Sequence, residues 1–142
     1  MYAPPHRRPG RLANAYADVA LETRVMSASP TQLISLLFEG ANAALVKAKG
    51  HLINEQAPQR GMAISKAIDI IDSGLKGSLD METGGELSQS LSQAYDLIIQ
   101  HLMMANLDAD LERLELAQKM LANISEGWQQ NLANLAAAPQ TA

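Results

Sequence analysis

The stretch from Ser29 to Ile53, SPTQLISLLFEGANAALVKAKGHLI, constrains this chain more than any other, because its apolar positions cover more of a helix than one buried stripe needs. Ser29 followed by Pro30 reads as an N-cap and a first helical residue, since proline has no amide hydrogen to lose there. Leu33, Leu37, Gly40 or Ala41, Ala44, Ala48 and Leu52 then recur at the three-to-four spacing of one helical face. Ile34, Phe38, Ala41, Leu45 and Leu52 line a second face beside it, and Ser35, Glu39, Asn42 and Lys49 leave only a narrow polar strip. A helix so widely apolar has to be covered on several sides, by its own chain or by another.

The 142 residues suffice for one domain with a continuous core. Hydrophobic residues make up 47% of the chain but aromatics only 4%, and the excess lies in Ala, Leu, Ile and Met, which favour helices over strands. Residues 1–11, with Pro4, Pro5, Pro9 and Gly10 beside Arg7, Arg8 and Arg11, read as a flexible basic arm. Residues 12–28 read as an N-terminal cap segment, weakly amphipathic through Leu12, Ala15 or Tyr16, Val19, Leu21, Val25 and Met26 and too short to hold a helix alone. After the central helix, Asn54 to Gln59 with Pro58 is a connection, and a second helix is expected from Gln59 to Leu79 with Ile64, Ala67 or Ile68, Ile71, Leu75 and Leu79 on one face. Gly74 and Gly77 fall inside that pattern, where each costs on the order of 1 kcal/mol against alanine; they predict loose last turns or the close approach of another backbone.

Asp80 to Gly85 reads as a turn, and Glu86 suits the positive start of a third helix faced by Leu87, Leu91, Ala94 or Tyr95, Ile98, Leu102 and Ala105. Leu97, Ile99, Met103, Met104 and Leu107 add apolar surface off that face. Asp108 is the expected N-cap of a fourth helix, with Asp110 and Glu112 in its first turn and a stripe of Leu114, Ala117, Leu121, Ile124, Trp128 and Leu132 or Leu135. Short connections between helices of about 20 residues make neighbours antiparallel. The expected fold class is therefore all-α: an antiparallel up-down-up-down four-helix bundle over residues 29–135, preceded by a short N-terminal capping segment and followed by a disordered tail over residues 136–142.

Formal charge is −4, but without Arg7, Arg8 and Arg11 eight basic residues face fifteen acids, so the folded part carries about −7. A nucleic-acid partner is not expected, because phosphate binding needs a basic face. The chain has no cysteine, which leaves no disulfide framework and no thiolate zinc site. The amino terminus lacks the apolar run of a secretory signal, and no segment has the roughly 18 uninterrupted apolar residues that span a bilayer, so the expectation is a cytoplasmic protein without membrane insertion. His6, His51 and His101 stand apart, no Glu-x-x-His motif occurs, and Asp80-x-Glu82 lacks the later oxygens of a calcium loop. Neither metal, cofactor nor enzymatic activity is expected.

What remains is surplus apolar helix, the usual mark of a partner site, suited to a partner's amphipathic helix lying in a groove. Two other readings are a bundle that self-associates through its broad faces and one that binds a small cofactor.

The ordered set of short motifs is more specific. Tyr16 is followed by Ala28-Ser29-Pro30-Thr31-Gln32-Leu33, Leu37-Phe38-Glu39-Gly40-Ala41 and Lys66-Ala67-Ile68-Asp69-Ile70-Ile71. Ser78-Leu79-Asp80-Met81-Glu82-Thr83-Gly84-Gly85-Glu86-Leu87, Ala94-Tyr95-Asp96, Ala105-Asn106 and Trp128 complete it. In this order and spacing the chain, from about Ala15 to Trp128, resembles the FliS family of flagellar export chaperones. It departs mildly at Phe38-Glu39, where the family commonly has Tyr-Asp, and at Ala94-Tyr95, where it has Leu-Tyr. The resemblance implies a four-helix bundle in the bacterial cytosol that holds the carboxy-terminal segment of flagellin, prevents its premature polymerisation and delivers it to the flagellar type III export gate. It also implies that Tyr16 to Met26 is a lid displaced by the client. The client-binding residues expected on this basis are Tyr16, Leu33, Leu37, Phe38, Tyr95, Ile98, Leu102, Met103 and Asn106, each apolar one having plain core packing as its alternative. A monomer or weak homodimer is expected.

Overall fold

The first helix begins with the reciprocal cap that its sequence allows. The Gln32 amide donates to Ser29 Oγ (3.2 Å) and the Ser29 amide donates to Gln32 Oε1 (3.0 Å), so two amides that a helix start leaves unpaired are both satisfied. In the computed structural model, residues 28–137 are described. They form α1 (Pro30–Ile53), α2 (Ala57–Asp69) running directly into a π-helical stretch (Ile70–Lys76), α3 (Gly85–Asp108) and α4 (Leu111–Ala137). No strand occurs among the described residues. The arm expected at 1–11 and nearly all of the cap segment at 12–28 lie outside them, as do residues 138–142; α4 extends through Ala137, two residues into the expected tail. By its contacts the chain divides after Leu33 into two compact units. The bundle belongs to the second.

Pairs of residues set the directions of the helices. Between α1 and α2, Leu37 meets Gly74 and Gly40 meets Ile70. Between α2 and α3, Arg60 bonds Asn106 and Lys76 bonds Asp96. Between α1 and α4, Lys49 bonds Glu115 and Trp128 bonds Ser35. In each pairing one number rises as the other falls, so these neighbours are antiparallel and the four helices run up, down, up, down. The core between them takes Phe38, Ala41, Leu45 and Ala48 from α1, Ile64, Ala67, Ile71 and Leu75 from α2, Tyr95, Ile98, Leu102 and Ala105 from α3, and Leu114, Ala117 and Leu121 from α4. Alanines at facing positions let the axes approach, while each fully buried leucine or isoleucine contributes about 1.5–3 kcal/mol.

Three local expectations change. The second helix starts at Ala57, two residues early, and widens at Ile70, where the Gly77 amide reaches back five residues to the Asp72 carbonyl at 3.1 Å. Ile71 and Leu75, four apart within this stretch, are both buried in the core, and Leu79 packs against it from beyond the stretch. Gly74 and Gly77 serve this stretch. A Cβ at Gly74 would lie 2.9 Å from Leu37 Cδ2, and one at Gly77 would overlap the Ser73 carbonyl oxygen. The close neighbour of Gly74 is thus a side chain of α1 rather than a backbone.

On α3, Leu87 is exposed and Ser88 is buried in its place. Counting back from Ala105 through Leu102, Ile98, Tyr95 and Leu91, the steps alternate three and four, and the next step of three lands on Ser88. Hydrophobicity favoured the leucine, but helix phase decides. At the α3–α4 corner, Asp108 is still helical and is not the cap. Ala109 takes the left-handed conformation (φ 51°, ψ 47°) and Asp110 caps α4, its Oδ1 accepting the Arg113 amide at 3.0 Å.

Candidate functional site

With the core closed, the informative surface is what it leaves out. Val46, Ile53, Met62, Met81, Leu87, Leu97, Met103, Leu107 and Leu116 are all exposed. One of these, Met62, lines an open groove of about 580 Å³ on α2, together with Gly61, Ser65, Lys66, Asp69 and, from α3, Asn106. The groove exists because Gly61 and Ser65, one turn apart on α2, carry little or no side chain.

One polar arrangement reaches the groove through Asn106. Arg60 donates from Nε to Asn106 Oδ1 (3.1 Å) and from Nη2 to the Asn106 carbonyl oxygen (3.0 Å), near the end of α3. The carbonyl bond covers one of the acceptors that a helix leaves open at its last turn. Because a guanidinium can only donate, the amide oxygen of Asn106 must face Arg60, which turns its Nδ2 donors away from Arg60. The amide sits over Gly61, both of its polar atoms 3.9 Å from where a Cβ would be.

The expected site residues do not form one cluster. Phe38, Tyr95, Ile98 and Leu102 are core residues, each at most 3% exposed. Leu37 is half-buried against Gly74, and Leu33 lies in the first turn of α1, its amide bonded to the Ser29 carbonyl at 2.8 Å. Met103 is exposed, at 59%, and Asn106 lies in the groove. Tyr16 is outside the described residues. Sequence reasoning passed over Arg60 and Met62; the only signal for Met62 was a large apolar residue off the buried face of α2, next to a glycine.

Titratable groups outside the groove have structural duties. Burial pushes the Tyr95 hydroxyl up to about 12. The hydrogen bond from Lys76 to Asp96 (2.7 Å) raises the lysine, against some desolvation. Asp80 is held low by the Thr83 hydroxyl and by the amides of Thr83 and Glu82 in the turn before α3. His101 Nδ1 is buried without a hydrogen-bond partner. Among the described residues no group of three or more His, Asp or Glu side chains could hold a metal ion, and no helix is long and apolar enough to cross a membrane. The groove therefore offers binding by apolar contact and a few donors.

Comparison with known proteins agrees with that chemistry. The family described as Flagellar protein FliS matches residues 12–135. The chain belongs to the FliS family. A flagellar secretion chaperone FliS from Salmonella typhimurium is 51% identical over 116 residues, covering 82% of this chain and 86% of its own length. The FliS of Escherichia coli is 39% identical over 118 residues, 83% of this chain and 87% of its own. The FliSB of Pseudomonas aeruginosa is 39% identical over 113 residues, 80% and 89% respectively. The chain is thus a member of the flagellar secretion chaperone family, and its four-helix bundle is the fold class expected from the sequence.

Proposed function

We propose that this FliS-family chain is a non-enzymatic export chaperone of the bacterial cytosol, which binds the carboxy-terminal helical segment of flagellin, prevents its premature polymerisation and hands it to the flagellar type III export gate. The observation that carries this reading is the coexistence of a closed core with large exposed side chains such as Met62, Met103 and Leu107, all apolar and two of them adaptable methionines. A bundle that stores its stability inside can present such surface to a client without unfolding. Of the residues expected to touch flagellin, exposure supports direct contact by Met103, and by Leu33, Leu37 and Asn106 in part, whereas burial of Phe38, Tyr95, Ile98 and Leu102 supports a role in holding the helices.

If the contact buries about 1,600 Å², ordering an unfolded client segment still consumes several kcal/mol of the gain, so binding is firm yet reversible, as a carrier requires. Sequestering the polymerising segment then lowers free subunit by mass action. The test is a pull-down of flagellin with and without its carboxy-terminal segment, alongside flagellin polymerisation followed by light scattering. Binding that needs the segment, and delayed polymerisation, are expected. Flagellin assembly at an unchanged rate with excess chaperone defeats the proposal. Sedimentation at several concentrations is expected to show a monomer or a weak homodimer that retains client binding.

A further inference from the structure

We propose that Met62 and Met103 form a reversible oxidation site that weakens client binding while leaving the bundle folded, an inference that rests on the chaperone reading above. The chain has seven methionines and no cysteine, so thioethers are its only oxidisable sulfur. Among the described residues these methionines are kept out of the core. No buried core side chain is a methionine; Met62 (74%), Met103 (59%) and Met81 (52%) are exposed, and Met104 and Met120 are half-buried. Methionine is an ordinary filler of irregular cores, so this segregation puts the accessible sulfurs where oxidation costs the fold least.

Two of the three exposed sulfurs belong to one region of the surface. Arg60 bonds Asn106 and Gly61 faces the same amide, and in an antiparallel pair a step forward on α2 matches a step back on α3. Met62 and Met103 therefore come to about the same height on adjoining helices. Met81 lies in the turn before α3, toward the other end of that helix. A peroxide attacks a thioether directly: the sulfur lone pair forms a bond to one peroxide oxygen, the O–O bond breaks, and the second oxygen leaves as water. Sulfur gives up two electrons and the peroxide takes them. The sulfoxide is polar and a hydrogen-bond acceptor, so burying it against an apolar client face leaves it without a donor. Two thiols reverse the step, the oxygen leaving as water and the thiols pairing as a disulfide.

In the experiment the full chain is treated with hydrogen peroxide, which is removed before a flagellin carboxy-terminal fragment is added. Peptide mass spectrometry locates the oxygen, calorimetry gives Kd, and urea unfolding followed by circular dichroism reports the fold. Met62 and Met103 are expected to oxidise ahead of Met104 and Met120, and Kd to rise about tenfold with the urea midpoint unchanged. Methionine sulfoxide reductase with dithiothreitol should restore the affinity. Met62→Leu with Met103→Leu conserves volume and should bind within about twofold of the unmodified chain, before and after peroxide, although Met81 still oxidises. Met62→Gln with Met103→Gln, polar without any oxidant, should reproduce the loss. No binding by the untreated chain defeats the proposed function itself. Where the untreated chain binds, an unchanged Kd with both sulfoxides in place, a loss that only accompanies unfolding, or the same loss in the leucine variant overturns this inference and leaves the chaperone reading standing.

Discussion

Replacing Gly74 by alanine sets two effects of known sign against each other. Within a helix alanine gains about 1 kcal/mol over glycine. Against that, the new methyl would lie 2.9 Å from Leu37 Cδ2, 3.2 Å from Cδ1 and 3.5 Å from Cγ, where relaxed carbon contacts are about 3.5–4.0 Å. Leu37 packs against the core and has to leave its position, an overpacking cost of about 2 kcal/mol within the usual range of 1–3. The net expectation is a loss of about 1 kcal/mol, a fall in Tm of about 4 °C for a domain of this size. In a Leu37→Ala background the obstruction is gone, and the same Gly74→Ala change should stabilise by about 1 kcal/mol, so a double-mutant cycle shows a coupling of about 2 kcal/mol. Urea unfolding followed by far-UV circular dichroism measures all four proteins. Should Gly74→Ala stabilise the chain while Leu37 is present, the leucine moves at no cost, and the claim that the glycine is there to admit it is wrong.

Ala109, held at φ 51°, pays for a left-handed conformation that glycine adopts freely; Ala109→Gly is expected to raise stability by about 0.5–1 kcal/mol, read from the urea midpoint. Burial raises the Tyr95 hydroxyl from 10.0 to about 12, so its contribution is intact below pH 10 and is lost as pH climbs from 10 toward 12, by about 2–3 kcal/mol. Lys76 loses its own pairing in the alkaline range too, so the part due to Tyr95 is read as the difference from Tyr95→Phe, which should lack it. Trp128→Phe removes the hydrogen bond from Nε1 to Ser35 Oγ (3.0 Å) that ties α4 to α1, together with some packed surface, and is expected to cost about 1–2 kcal/mol in the same unfolding assay.

The helices were legible because their evidence is local. A cap that needs only Ser29 and Gln32, a proline at the first position, and apolar residues at steps of three and four fix α1 from Pro30 to Ile53 without reference to any partner. The three-four stripe of Leu114, Ala117 and Leu121 did the same for α4, and four such helices with short connections admit little besides an antiparallel bundle. The family too was written locally, in motifs whose order alone carries the resemblance.

The site was not legible in that way. Periodicity says that Phe38 and Ile98 point inward but not whether the space they point into is a core or a cleft, and the folded chain makes it core. Nor can spacing along one helix show that Arg60 would reach across to Asn106, 46 residues later, or that Gly61 would leave a groove under it. The π-turn at Ile70–Lys76 and the choice of Ser88 over Leu87 likewise depend on which side of each helix its neighbours occupy. Taken alone, then, the sequence determined which segments are helices, how they alternate and which family they belong to, because those follow from interactions within a few residues. Which apolar side chains are spent inside and which remain outside was decided only when the helices packed, since burial belongs to the pair of surfaces that meet and not to either one.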